Sequence, residues 1–176
     1  MKIFLLPGQS ISNKEWIEGV EKKSKEIFSE TEVLYYEHWS LGGKDTNIAL
    51  ETEKLVKLVN SYTDDYIVFT KSIGSLVFLN SFKFLKRKPK AVLMLGFPYY
   101  LAKNLNFDLK SLLNKIDFRV NIYQKEYDTA GKYEEVKQFS NEFVTIEKYV
   151  SAGEPNDNHS YGNLEYISEL FKSLID

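Results

Sequence analysis

The sequence predicts an α/β fold: a three-layer sandwich in which six mostly parallel strands form one sheet with helices on both faces. Short apolar runs alternate with amphipathic stretches along the whole chain, and several runs end abruptly at proline, glycine or serine. Because βαβ units are right-handed, this alternation gives a parallel sheet covered by helices on both sides. A chain of 176 residues can bury a substantial core, so we expect a single domain over residues 1–176.

The strands are predicted from apolar and β-branched runs of four to eight residues that are bounded by turn residues. A continuous apolar run is typical of a buried parallel strand, whereas the alternation in the last run is typical of a strand at the sheet edge. The predicted strands are residues 2–6, 32–37, 66–71, 90–96, 118–124 and 143–150.

The helices are predicted from apolar residues that recur at helical spacing among lysines and glutamates. The first, for example, has Asn13 or Ser12 as its cap and carries Trp16, Ile17 and Val20 on one face. The predicted helices are residues 13–28, 46–61, 73–85, 133–139 and 161–175, with one or two short helices in 101–116 and a loop over 38–43.

Composition excludes several classes of function. The chain has 25 acidic and 23 basic residues, so net charge favours neither a nucleic-acid nor a membrane partner. It has no cysteine, which excludes disulfides, thiolate zinc sites and a cysteine nucleophile. The apolar run near the start is too short for a signal peptide or membrane span, and a cytoplasmic protein is expected.

One bend organises the chain. The run Tyr66 to Lys71 stops at Ser72, and a helical pattern begins at once with Gly74 in its first turn. A serine between a strand and a helix lies on a sharp turn, with its hydroxyl above the sheet edge. The N–H group of Ile73 then faces the space before that hydroxyl, beside a helix N-terminus that favours negative charge. Serine is also a common helix cap, which is the plainer interpretation.

The other strand ends argue against nucleotides and metals. A single glycine follows the first strand, and the Gly42-Gly43-Lys44-Asp45 stretch lacks the pattern of a phosphate-binding loop. The two histidines are far apart and form no metal-binding pattern, so no metal or cofactor is expected. Lys71 adjoins Ser72, but neighbours on a strand point to opposite faces, so a structural role is predicted for it rather than that of a base.

Ser72, Asp128 and His159 remain, and each follows a predicted strand. A serine hydroxyl needs an imidazole to accept its proton, and the imidazole needs a carboxylate to orient it. These residues, in the chain order serine, aspartate, histidine, therefore predict a catalytic triad. His159 rather than His38 is the predicted base, because His38 follows the second strand, which should lie on the side of the first strand away from the bend. Asp128 is the predicted orienting acid, and Asp157 is the weaker candidate because it is only two residues from the histidine.

At these residues the sequence resembles the α/β-hydrolase superfamily, in particular its small, lidless serine hydrolases related to dienelactone-hydrolase-like proteins. The resemblance covers nearly the whole chain. The stretches that carry it are Leu6-Pro7-Gly8-Gln9, Lys71-Ser72-Ile73-Gly74, Gly96-Phe97-Pro98, Tyr127-Asp128-Thr129 and Asn158-His159-Ser160-Tyr161. It implies Ser72 as nucleophile, His159 as base and Asp128 as acid, and by analogy a strand order of 2-1-3-4-5-6.

The resemblance also implies an oxyanion hole formed by the N–H groups of Ile73 and Gln9. Two residues depart from the family pattern: Pro7 replaces the usual histidine, and Thr70 replaces the glycine that relieves crowding at the bend. Distortion by Thr70 would leave Ser72 unreactive. The chain would then be an inactive binding module with a hydrolase fold. A second alternative is a flavodoxin-like ligand-binding domain, which would have a bound cofactor and no link between Ser72 and His159.

The predicted function is hydrolysis of a small ester, thioester or related acyl bond. The region between Gly96 and Phe118 is too short for a lid domain, so long acyl chains would gain little burial there. A small-molecule acyl substrate is therefore the expected partner, while the oligomeric state is left open. Several aromatic residues are available to cover an acyl group: Trp39, Phe97, Tyr99, Tyr100 and Tyr161.

Overall fold

The computed structural model describes residues 1–175 and shows six strands in one sheet. The strands are β1 (Lys2–Leu6), β2 (Glu30–Val33), β3 (Tyr66–Lys71), β4 (Ala91–Leu95), β5 (Arg119–Gln124) and β6 (Val144–Lys148). Their order is β2-β1-β3-β4-β5-β6, and every neighbouring pair is parallel. The predicted fold class and strand order are therefore confirmed.

Helices connect the strands and cover both faces of the sheet. They are α1 (Asn13–Ser24), α2 (Glu37–Leu41), α3 (Ile48–Asn60), α4 (Ile73–Ser81), α5 (Tyr99–Asn104), α6 (Leu109–Asn114), α7 (Tyr133–Lys137) and α8 (Leu164–Ile175). A short 3-10 helix, Phe82–Phe84, follows α4. The predicted loop over 38–43 is wrong in part, because α2 occupies most of it and ends at Gly42, whose φ of 70° suits a helix terminus.

The sheet separates two hydrophobic cores. Successive residues of β3 point to opposite faces, so Val68 joins the core beneath α3 and α4, whereas Phe69 joins the core beneath α1 and α8. On the second face the rings of Phe69 and Phe171 meet edge to face, with centroids 5.1 Å apart. Each core is closed by amphipathic helices, which is why the helical spacing of apolar residues is visible in the sequence.

The register of β3 and β4 positions the candidate site. Lys71 is paired with Leu95, so Ser72 and Gly96 leave the sheet side by side at its carboxyl edge. The Ser72 N–H extends this pairing by donating to the Leu95 carbonyl at 3.0 Å. Ligands of parallel α/β sheets bind at this edge. Within residues 1–175, none of the helices has the length and apolar character needed to cross a membrane.

Candidate active site

Ser72 lies at the sharp turn between β3 and α4. Its backbone has φ 51° and ψ −121°, a conformation that a residue with a side chain rarely adopts. The turn needs a glycine two residues later, because a Cβ at Gly74 would lie 2.6 Å from the Leu6 carbonyl oxygen. The first turn of α4 therefore packs directly against the end of β1, the neighbour of β3 in the sheet.

Thr70 is accommodated at this turn. Its side chain is fully buried at the end of β3, and its hydroxyl is 2.8 Å from the Ser75 hydroxyl in the first turn of α4. A hydrogen bond between these two groups joins the strand to the helix across the bend. The turn at Ser72 thus forms with threonine in the position where the family pattern has glycine.

A buried Asp128 and a partly buried His159 form a hydrogen-bonded pair. The Nδ1 atom of His159 is 2.8 Å and 3.0 Å from the two carboxylate oxygens of Asp128. An ionised carboxylate only accepts hydrogen bonds, so Nδ1 carries the proton and Nε2 of the neutral ring has a free lone pair. His159 Nε2 is buried and has no hydrogen-bond partner among residues 1–175.

The Asp128 carboxylate is held by further donors. The Tyr161 hydroxyl donates to Oδ2 at 2.6 Å, and the Ala130 N–H donates to Oδ1 at 2.8 Å. The Lys125 N–H in turn donates to the Tyr161 hydroxyl at 3.1 Å. Burial, and after it the charge of Asp128, raise the pKa of Tyr161 well above its usual value, so this hydroxyl stays a donor.

Gly96 places the histidine ring beside the serine. Its φ is 59°, and a Cβ there would lie 2.8 Å from His159 Cε1 and 2.5 Å from Tyr161 Cε2. Only glycine leaves room for both rings to lie against the end of β4. Since Gly96 and Ser72 are neighbours across the sheet edge, the His159 ring lies next to the bend at Ser72.

Ser72 and His159 line one cleft of about 510 Å³, called here the Ser72 cleft. Apart from Lys71, its walls are mostly amides, hydroxyls and aromatic rings, and Asp128 lies behind His159. The residues that line it are Gln9, Ser10, Ser12, Asn13, Trp16, Lys71, Ser72, Asn158, His159, Ser160 and Tyr161. A polar substrate of modest size fits a cleft of this kind.

Solved structures of low sequence identity share this architecture. Est1E from Butyrivibrio proteoclasticus, solved with ferulic acid bound, superimposes with a TM-score of 0.73 at 18% identity, covering 99% of this chain and 87% of Est1E. Mouse alpha/beta hydrolase domain-containing protein 10 gives 0.71 at 13% identity, with 99% and 89% covered. SOBER1 from Arabidopsis thaliana gives 0.62 at 13% identity, with both chains covered completely.

The chain has the α/β-hydrolase fold. At these identities the similarity shows the fold alone, and neither a family model nor a curated protein matches the sequence. Within the α/β-hydrolase fold, the strand–serine–helix turn lies on the third strand of the sequence, and the Asp128 and His159 positions follow the fifth and sixth.

Of the two residues predicted to supply oxyanion N–H groups, Gln9 lines the Ser72 cleft and Ile73 does not. Ile73 is buried and begins α4 directly after Ser72. Gln9 lines the cleft, and its carbonyl oxygen accepts hydrogen bonds from the Trp39 indole N–H and from the His38 ring, both at 2.8 Å. His38 thus contacts the loop after β1 and lines a second, smaller cleft, whereas Asp157 is exposed and forms no pair with His159.

The aromatic residues predicted to cover an acyl group lie in different places. Tyr161 lines the Ser72 cleft, although its hydroxyl is engaged by Asp128. Phe97 does not line it, because its side chain is fully buried and its N–H donates to the Gln124 side chain at 2.6 Å. Tyr99 packs against Phe139 outside the cleft, and Trp39 contacts the back of the Gln9 peptide.

Several residues that line the Ser72 cleft, among them Asn13, Trp16 and Lys71, are not predicted as site residues by the sequence. The pattern predicts Asn13 as a helix cap and Trp16 on the apolar face of α1, yet both line the cleft. The Trp16 indole N–H donates to the Tyr161 carbonyl at 2.7 Å. Lys71, for which the sequence predicts a structural role, donates to Asn13 Oδ1 at 3.0 Å and also lines the cleft. A lysine in an otherwise apolar strand was the one available signal.

Proposed function

We propose that this protein is a serine hydrolase that cleaves a small ester, thioester or related acyl bond. The observation that carries the proposal is the hydrogen-bonded His159–Asp128 pair beside the strained turn at Ser72, with serine and histidine lining one cleft. The esterase and hydrolase names of several proteins with this fold agree with it. The proposed role of each residue follows from the chemistry that serine acyl transfer requires.

In this mechanism His159 Nε2 accepts the Ser72 proton while the serine oxygen bonds to the substrate carbonyl carbon. The carbonyl oxygen becomes an oxyanion, which the N–H groups of Ile73 and Gln9 stabilise. His159 then donates its proton to the departing alcohol or thiol, which leaves an acyl-enzyme. Water attacks the acyl carbon while His159 accepts a proton from it. His159 then returns this proton to the Ser72 oxygen as the bond between that oxygen and the acyl carbon breaks, which releases the acid. Asp128 stabilises the charged imidazole in both halves.

The proposed substrates carry short acyl groups. Helices α5 and α6, where a lid would be inserted, bury Ala102, Leu109 and Leu113 in the larger core instead of lining the Ser72 cleft. An acyl chain that extends beyond the cleft therefore stays in water, and each uncovered methylene forgoes about 0.8 kcal/mol. A series of para-nitrophenyl esters should show its highest kcat/KM at short chains and no rate increase above the critical micelle concentration.

Labelling with a fluorophosphonate probe tests the nucleophile. The wild-type protein should be labelled at Ser72, and Ser72→Ala should lose both labelling and esterase activity. Ser160→Ala is a matched control, because Ser160 also lines the cleft but is an exposed loop residue. Failure of the correctly folded wild-type protein to react would reject the hydrolase proposal and leave the binding-module alternative.

A further inference from the structure

The charge distribution in the Ser72 cleft is one-sided. Among the residues that line it, Lys71 is the only lysine or arginine, and no aspartate or glutamate is present. The other polar groups are serine hydroxyls, side-chain amides and the His159 ring. A ligand in this cleft therefore meets one cationic side chain and no anionic one.

Lys71 is buried without an acidic partner. Its side chain is 7% exposed, and no carboxylate of residues 1–175 lies within 4.0 Å of Nζ. The ammonium group has three N–H donors, but its one hydrogen bond goes to Asn13 Oδ1 at 3.0 Å. The Trp16 ring, centred 5.5 Å from Nζ, adds a weaker attraction. Buried lysines are normally paired, so this arrangement is unusual.

The neighbouring charges do not supply the missing partner. Asp128 is close enough to favour the charged form of Lys71, but its oxygens are occupied by His159, Tyr161 and Ala130. Lys125, a second buried lysine, opposes the charged form, and its own Nζ is bonded to Asn158 and lies 3.6 Å from Glu154. The two buried lysines therefore differ, because Lys125 has a carboxylate partner in the protein and Lys71 has none among residues 1–175.

We propose that the Ser72 cleft selects esters that carry a carboxylate, and that Lys71 determines this specificity by pairing with that carboxylate. The expected preference in hydrolysis rests on the proposed hydrolase function, whereas the expected binding of a carboxylate by Lys71 does not. A carboxylate placed against Nζ fills the free donors of a desolvated ammonium, which makes a strong, charge-assisted hydrogen bond. The carboxylate belongs either to the acyl part of the ester or to its alcohol part.

Two pairs of substrates distinguish these sources. Mono-para-nitrophenyl glutarate and its methyl ester differ only in a carboxylate on the acyl side. The pair para-acetoxybenzoate and methyl para-acetoxybenzoate differs in the same way on the leaving-group side. In at least one pair, we expect the charged ester to have the higher kcat/KM. The ratio of charged to neutral ester should fall about tenfold to a hundredfold in Lys71→Met, the range expected for losing a hydrogen bond between charged groups.

Lys22→Met is the matched control, because Lys22 is exposed on α1 and outside the cleft. Both ratios should be unchanged in this variant. If wild-type protein hydrolyses both members of each pair equally well, or if Lys71→Met leaves a preference for the charged ester intact, the proposal is wrong. Comparing ratios within one variant separates specificity from a general loss of turnover.

A binding measurement separates this inference from the proposed reaction. Monomethyl glutarate and its neutral dimethyl ester are titrated calorimetrically into Ser72→Ala and into Ser72→Ala combined with Lys71→Met. Preferential binding of the anion that Lys71→Met abolishes supports the inference even if the wild type proves to lack esterase activity. Equal binding of the anion and the neutral ester to Ser72→Ala overturns it, even if the hydrolase proposal is upheld.

The wild-type protein alone provides a check that needs no folded variant. Glutarate should protect Ser72 from fluorophosphonate labelling at lower concentration than the neutral diamide glutaramide. If labelling itself fails, the same two compounds are compared by thermal stabilisation of the wild type, where only the anion should raise Tm. An equal effect of both compounds would contradict a role for Lys71 in binding an anion.

Discussion

Two buried charges lie at the Ser72 cleft, and the protein satisfies them in opposite ways. Behind His159, the Asp128 carboxylate accepts hydrogen bonds from His159, Tyr161 and the Ala130 N–H. Next to Ser72 in the chain, the Lys71 ammonium has a single acceptor, Asn13 Oδ1. A fully paired carboxylate is fixed in place and keeps its histidine in one orientation, as proton transfer requires. A buried ammonium with free donors is instead suited to bind a group from outside the protein.

The largest expected effect concerns His159, the histidine of the pair with Asp128. His159→Ala should lower kcat by roughly 10⁵-fold, because the serine loses the group that accepts its proton. His38→Ala should cost no more than about tenfold, since the Trp39 indole still donates to the Gln9 carbonyl. Initial rates with a short para-nitrophenyl ester measure both losses. If His38→Ala causes the larger loss instead, His38 is the base.

The next effect concerns the carboxylate itself. Asp128→Asn should lower kcat by about 10⁴-fold, because an amide cannot stabilise the charged imidazole and favours the wrong tautomer. Asp157→Asn is the matched control and should change kcat less than twofold, since Asp157 is exposed and outside the pair. Equal losses of kcat in the two variants would show that His159 does not depend on Asp128.

For Lys71, the buried lysine without an acidic partner, the expected effect is on the free energy of unfolding. Burial lowers the pKa of Lys71 to about 8. An unfolded lysine keeps its proton to about pH 10.4, so between these values the unfolded state binds more protons and the folded state gains stability as pH rises. Lys71→Met lacks this gain. It should be more stable than wild type at neutral pH, by an excess that shrinks by about 3 kcal/mol on going from about pH 7 to 10.5.

Urea unfolding at a series of pH values measures this excess. Lys22→Met, at an exposed position outside the cleft, is the matched control. If the extra stability of Lys71→Met over the wild type does not change with pH, the Lys71 ammonium of the wild type is solvated or already paired with an acidic group.

The smallest effect concerns the support of Asp128. Tyr161→Phe removes the donor to Oδ2 but keeps the ring that meets Tyr149, with centroids 4.7 Å apart. We expect kcat to fall about tenfold with little change in KM, because the carboxylate loses one of its orienting hydrogen bonds. Tyr166→Phe is the control, since Tyr166 contacts the other side of Tyr149 and not the pair. A larger loss in Tyr166→Phe would indicate a packing effect.

Patterns along the chain predicted the fold because they record which face of each element is buried. The β-branched run before Ser72, the glycine after it and the helical spacing that follows specify a strand, a turn and a helix locally. Helix α2 was missed since its start depends on a distant residue: the Glu51 carboxylate accepts from the Glu37 N–H at 2.8 Å. No pattern within residues 37–41 contains that contact.

Side-chain placement at the site was harder to predict than strand order. Alternation along a strand places Lys71 opposite Ser72, but the bend changes direction between the two residues, and both line the cleft. Phe97 comes two residues after the end of β4, yet Gln124 accepts from its N–H and its ring is buried in the core. Such contacts depend on residues far apart in the sequence, which spacing alone does not report.

The two tryptophans make this cleft observable by spectroscopy. Trp16 lines the Ser72 cleft, with its indole N–H bonded to the Tyr161 carbonyl, while Trp39 donates to the Gln9 carbonyl from outside the cleft. Each indole therefore reports a different event through its fluorescence. Emission from Trp16 responds to a molecule that enters the cleft, and emission from Trp39 responds to movement of the loop after β1. Replacing one tryptophan at a time would follow occupancy and loop motion separately, in real time and without an attached dye.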